Sequence, residues 1–252
     1  MEVSPLPENV KIVEKKPIPS GAIMLYGLPD VGLVGLIATS YIISELDLDE
    51  IAYVDSDLLP PVVVLHEGLP HAPLRIYGNS NLIAAISEMA VPAAALHPVM
   101  RTLVEWGGAT GTRMMISMGG IPLENRQDIK EPQVFGAASS KDLIDILRGK
   151  GLKILKEGFI VGPQALTMRY CAERKLSAVA LLAQSFYNYP DPEAAAMTIK
   201  TLANITDLKI DVSKLLEKGE EIRLRARDIM KRTQRELTRM DKSQEYDIPL
   251  YV

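Results

Sequence analysis

Apolar residues fall in short blocks over the first four-fifths of the chain and in a helix-spaced stripe after it. Gly21-Ala22-Ile23-Met24-Leu25-Tyr26-Gly27 is almost wholly apolar, which predicts a strand covered on both faces. Leu28-Pro29-Asp30 then turns the chain, and residues 31–46 predict a helix. Further strands are predicted at 51–54, 61–66, 74–77, 82–86, 113–118, 134–138 and 178–183, with a strand pair around 154–161. The four between 51 and 86 are each bounded by Gly, Pro, Asn or Asp. Helices are predicted over 92–106, closed by Gly107-Gly108, and over 140–148 with Ser140 or Ser139 as cap. Two more begin at Gly162-Pro163 and at Asp191-Pro192-Glu193, each with proline in the first turn. Gly119-Gly120 is expected to close its strand and 121–132 to be a polar loop.

This alternation predicts an α/β fold, a mixed and mostly parallel sheet flanked by helices. No Ser/Gly-rich linker divides the first part, so residues 1–208 read as one core domain. From Val212 the period changes. Val212, Leu215, Gly219, Ile222, Ala226, Ile229, Thr233, Leu237 and Met240 follow 3-and-4 spacing, so 209–242 predict a long amphipathic helix that packs on a partner helix or on its own domain. Residues 243–252 lose the period, and Pro249 biases Ile248 toward extended backbone. They read as a flexible tail.

Charge adds one feature. The net charge is −4, yet residues 214–242 hold ten Lys/Arg against six Asp/Glu. The interspersed acids favour a solvated helix face with i,i+4 pairs over a nucleic-acid footprint. A single cysteine, Cys171, rules out an internal disulfide framework and fits a reducing cytoplasm. No stretch reaches the roughly 18 to 20 uninterrupted apolar residues of a membrane span. Met1-Glu2-Val3-Ser4-Pro5 shows no secretory signal pattern, and the expected location is cytoplasmic.

Candidate chemistry is sparse. Gly27, Asp30, Gly32 and Gly35 sit where a strand feeds a helix, a place where N–H groups and the helix dipole can hold an anion or another ligand. The spacing is neither Gly-x-Gly-x-x-Gly nor a P-loop, and close helix-sheet packing explains the glycines as well. His66, His71 and His97 lack metal-ligand spacing, Cys171 lies among apolar helix positions, and no Gly-x-Ser-x-Gly is present. No catalytic residue, metal or cofactor is expected. Leu250-Tyr251-Val252 is different: an aromatic with a hydroxyl, an apolar neighbour and a terminal carboxylate make a compact recognition unit, stiffened by Pro249.

Four segments carry a resemblance: residues 27–35, with a Gly-x-Pro-x-x-Gly-x-x-Gly element; Val134-Phe135-Gly136-Ala137-Ala138; Glu157-Gly158-Phe159-Ile160-Val161-Gly162; and Ala180-Leu181-Leu182-Ala183-Gln184 with Tyr189-Pro190-Asp191-Pro192-Glu193-Ala194-Ala195. Over nearly its whole length the chain resembles the proteasome assembly chaperone superfamily, second-subunit type. The resemblance implies an α/β scaffold similar to phosphorylase and peptidyl-hydrolase domains, used for protein binding, with 20S proteasome α-ring subunits as partner and a homo-oligomeric state. It also implies that Leu250, Tyr251 and Val252 match the hydrophobic-Tyr-X docking motif, carried away from the body by the long helix. Two other readings remain: a phosphorylase-like or ATP-grasp-like enzyme using the Gly-rich turn, and a nucleic-acid adaptor using the arginines of residues 223–239.

Overall fold

A strand as apolar as residues 23–27 must be covered on both faces, and the fold supplies a helical layer on each side of it. A computed structural model describes residues 10–239. The elements are β1 (Lys11–Glu14), β2 (Ile23–Gly27), α1 (Val34–Glu45), β3 (Asp49–Asp55), β4 (Val64–His66), β5 (Leu69–His71), β6 (Leu74–Gly78), β7 (Leu82–Ser87) and α2 (Ala93–Ala109). Then come β8 (Met114–Pro122), β9 (Val134–Ala138), α3 (Lys141–Gly149), β10 (Lys153–Ile154), α4 (Pro163–Glu173), β11 (Ala178–Ser185), α5 (Pro192–Thr206), α6 (Ser213–Glu217) and α7 (Gly219–Arg239).

The main sheet has the order β1-β3-β6-β7-β2-β8-β11-β9-β10, and β4 and β5 form a separate hairpin. Strands β7, β2, β8 and β11 pair in parallel at its centre, while β1, β3 and β6 join antiparallel on one flank and β9 on the other. Register sets the two cores. Ala84, Leu25, Ile116 and Val179 are neighbours across the four central strands and face α1, α5 and α7. One residue along, Ala85 and Tyr26 face α2 and α4.

Several sequence expectations shift for physical reasons. The helix expected over 31–46 is interrupted: a 3-10 turn at Val31–Leu33 precedes α1, because Gly32 and Leu33 take left-handed backbone at φ 61° and 52°. Gly107-Gly108 does not close α2, which runs on to Ala109; the left-handed stop is Gly111, at φ 77°. Gly119-Gly120 likewise lies within β8, where the Gln164 and Asp30 side chains press on Gly119 and leave no space for a Cβ. Of 61–66 only Val64–His66 is strand, since Pro60 and Pro61 offer no N–H. The pair expected around 154–161 reduces to Lys153–Ile154; Leu155 N–H still donates to Gly136 O at 2.9 Å, and Leu155 and Ile160 fold over Ile121, Phe135 and Leu182. The sequence reading did not anticipate β1 or β5.

The C-terminal helix breaks at Lys218 into α6 and α7. Its apolar stripe packs on its own domain: Leu215, Ala226, Met230 and Leu237 join the core beneath α1 and α5. Over the described residues it therefore lies along the body rather than projecting from it.

Candidate functional site

β2 delivers the Gly-rich segment to the C-terminal edge of the parallel strands. Every residue from Gly27 to Gly35 is buried, Asp30 among them. A Cβ on Gly32 would lie 1.8 Å from Ser185 Oγ, and one on Gly35 would lie 2.3 Å from Met118 O. The space beside both glycines is thus filled by β11 and β8. Gly27 ends β2 against Thr39 of α1, and the Asp30 carboxylate lies over Gly119. The four residues come together as one packed corner between sheet and helix.

A polar hub that sequence reasoning missed fixes this corner. Asp191, fully buried, receives Arg126 Nε and Nη2 at 2.8 and 2.9 Å and Ala194 N–H at 3.0 Å. Ser185 Oγ and Phe186 N donate to it at 3.3 Å, and its own N–H donates to Gly32 O at 2.8 Å. Arg126 donates a further bond to Ile129 O at 2.6 Å and stacks 5.0 Å from the Phe186 ring. The Asp191 carboxylate therefore caps α5 and pins the loop after β8, while its backbone N–H holds the 3-10 turn. Burial pushes the Asp191 carboxyl above its usual value, against the opposing pull of the Ala194 N–H and Arg126. The residues preceding Pro192 gave a helix-start signal; nothing in the sequence marked Arg126, which was assigned to a polar loop.

Helix α7 closes over the same corner, packing on the 3-10 turn and on α5. Arg223 Nη2 meets Glu193 Oε2 at 2.5 Å, and Gln234 Nε2 donates to Asn188 O at 3.2 Å. Glu236 Oε2 accepts from Ala93 N at 3.0 Å, at the first residue of α2, where a carboxylate also suits the helix dipole. The helix that leads into the last thirteen residues is thus tied to both layers. Leu250, Tyr251 and Val252 lie outside the described residues.

The other expected groups are placed as follows. Cys171 is fully buried among core residues, and burial pushes its thiol up to about 12. His97 Nδ1 meets Tyr170 Oη at 2.8 Å. His66 and His71, unrelated by spacing, come together with ring centroids 5.4 Å apart beside Glu50, Arg75 and Glu88. Among the described residues no group of three His, Cys, Asp or Glu side chains is placed to hold a metal, and no helix is long and apolar enough to cross a membrane.

The PAC2 family model matches residues 24–230, the span from β2 to α7. The chain belongs to the PAC2 family. PbaA of Pyrococcus furiosus, an archaeal homologue of proteasome-assembly chaperone, has a crystal structure 32% identical to this chain. The likeness covers 90% of this chain and 98% of PbaA at a TM-score of 0.84. PbaB of the same organism, an archaeal proteasome activator, is 24% identical over 88% of this chain and 99% of its own, at a TM-score of 0.73, and shares the fold. An uncharacterised protein of Methanocaldococcus jannaschii is 26% identical over 97% of this chain and 99% of its own length. PAC2 membership extends over the Gly-rich corner, the Asp191 hub and most of α7.

Proposed function

We propose that this PAC2 protein is a non-catalytic, cytoplasmic proteasome-binding protein of the assembly-chaperone kind. It docks on the α-ring of the 20S proteasome through Leu250-Tyr251-Val252. The observation that carries this reading is the near-full-length likeness to PbaA at 32% identity, on a chain that holds Leu250-Tyr251-Val252. The Gly-rich corner fits the same reading: Gly32 and Gly35 have Ser185 and Met118 against them, so the turn serves packing.

In the mechanism, the carboxylate of Val252 pairs with a cationic group in a pocket between adjacent α-subunits. Tyr251 offers its ring to the pocket wall and its hydroxyl to a backbone group, and Leu250 adds apolar contact. One such peptide binds weakly. Copies of the chain associate, and several tails engaging one ring raise the overall affinity by about 10² to 10⁴ over a single tail.

The test is capture of 20S proteasome and of free α-rings by the intact chain and by a version lacking Tyr251 and Val252. Capture by the intact chain and its loss in the truncated one supports the reading. Equal capture by both removes the tail from it, and no capture by either removes the partner.

A further inference from the structure

The stretch from Pro60 to Pro70 stands almost bare on the surface. Val64 alone in it is half-buried, while Val62, Val63, Leu65 and Leu69 expose 40%, 63%, 65% and 63% of their surface. Strands β4 and β5 pair only with each other among the described residues, so both outer edges of the hairpin are open. A two-stranded hairpin is marginal by itself, and a contiguous exposed apolar patch marks a surface that something covers. One face of this hairpin, carrying His66 beside the turn and His71 at the far end, is nevertheless firmly held. His66 Nε2 lies 3.1 Å from Glu88 Oε1 and 2.8 Å from Arg75 Nη2, and His71 Nδ1 lies 3.2 Å from Glu50 Oε2. A polar anchor on the face of His66 and His71, with Leu65 on the opposite face, keeps the hairpin in one pose.

Beside the hairpin α1 and α7 part to leave a groove of about 730 Å³, which His66 and Glu88 border. Ile37, Ile222 and Ile229 give it an apolar lining, and Lys214, Lys218 and Arg225 give it a basic rim. Its two carboxylates are engaged, Glu45 by Lys214 at 3.4 Å and Glu88 by Arg75. The hairpin carries the opposite sign. Residues 60–71 contain Glu67 at the turn and neither Lys nor Arg. The exposed apolar side chains match the apolar lining and the acid at the turn matches the basic rim, and both halves belong to the same chain.

We propose that the β4–β5 hairpin of one copy seats in the α1–α7 groove of a second copy, with Val63 and Leu65 entering the apolar lining and Glu67 meeting Lys218 and Arg225. The proposal rests on the reading that copies associate and adds the surfaces through which they do so. A volume of this size suits a compact group of side chains. Charge complementarity sets the pose and discourages wrong contacts.

Light scattering after size exclusion tests it on the full chain. The intact protein is expected to run at a multiple of its 27.7 kDa mass. Leu65→Asp and Lys218→Glu each alter an exposed residue, and Lys218→Glu places an acid just before α7, where the helix dipole favours it, so both variants fold with unchanged circular dichroism and Tm. Each runs as the 27.7 kDa chain alone. Mixing the two recovers association, because one still supplies a groove and the other a hairpin. A monomeric intact chain overturns the proposal, as does a multimer indifferent to either substitution or a mixture that stays dissociated. If Leu65→Asp abolishes α-ring capture while the multimer persists, the hairpin belongs to the proteasome contact and the proposal falls. Removing Tyr251 and Val252 leaves the multimer intact, so failure of tail docking is read on capture and failure of this interface on mass.

Discussion

Gly35 sits where α1 comes nearest to β8, and the constraint on it is backbone against backbone. Met118 O would lie 2.3 Å from its Cβ, and a carbonyl in a central strand cannot step aside. Gly35→Ala should therefore cost about 3 kcal/mol, the upper end of overpacking penalties, seen as an earlier urea midpoint. Gly149, at the end of α3 with nothing within 4 Å of such a Cβ, makes the control; there alanine should leave the midpoint unchanged or raise it slightly. Cys171 yields a second prediction at this scale. A thiol that is fully buried and pushed up to about 12 presents almost no thiolate at neutral pH. Thiol-directed reagents should label the native protein only at the rate at which it unfolds, and rapid native labelling would contradict this burial.

Among the elements, α5 depends on what stands at its entrance. Asp191 caps it and neutralises buried Arg126, so Asp191→Ala strands a cation in the interior and should cost roughly 3 to 5 kcal/mol. Removing both charges in Asp191→Leu with Arg126→Leu should cost less than the sum of the single changes, measured by a denaturation cycle. For α7 the prediction concerns one apolar contact: Leu237 is fully buried, and Leu237→Ala should cost about 2 to 4 kcal/mol. The elements also show what a sequence can disclose. Continuous apolar runs made β2, β7 and β11 legible, and the 3-and-4 spacing made the inward face of α6 and α7 legible, though not the break at Lys218 or the buried Met230. Gly107 and Gly119 misled because a glycine demanded by a neighbour's approach looks the same in sequence as one that ends an element. Arg126 was illegible because its partner lies 65 positions away. The motif at Leu250-Tyr251-Val252 is legible only as chemistry and lies outside the described residues.

At the scale of the whole molecule, the carboxylates that join elements set how the protein responds to acid. Glu50 links β3 to Lys15, to Arg75 of β6 and to the hairpin through His71, while Glu193 links α5 to Arg223 of α7. Burial pushes both carboxyls upward, but the cations around Glu50, and the backbone N–H and Arg223 at Glu193, outweigh it, leaving both below their usual value. A group held low in the folded state binds fewer protons there than in the unfolded chain. Its contribution is fully present above the unfolded value of about 4.3 and is lost as pH falls through the folded value. Asp191, pushed up, acts in the opposite sense: the folded state takes its proton first, so its contribution shrinks as pH rises through that value. Two lowered groups against one raised group predict a Tm that holds from pH 7 to about 5 and falls below about 4. Glu50→Gln and Glu193→Gln should each lower the Tm at pH 7 and flatten the acid limb. The Glu50 change acts at the hairpin anchor, so it should also weaken self-association at pH 7, where Glu193→Gln leaves association untouched. Melting curves and light scattering on the two variants separate these outcomes, and equal association in both would detach the hairpin anchor from assembly.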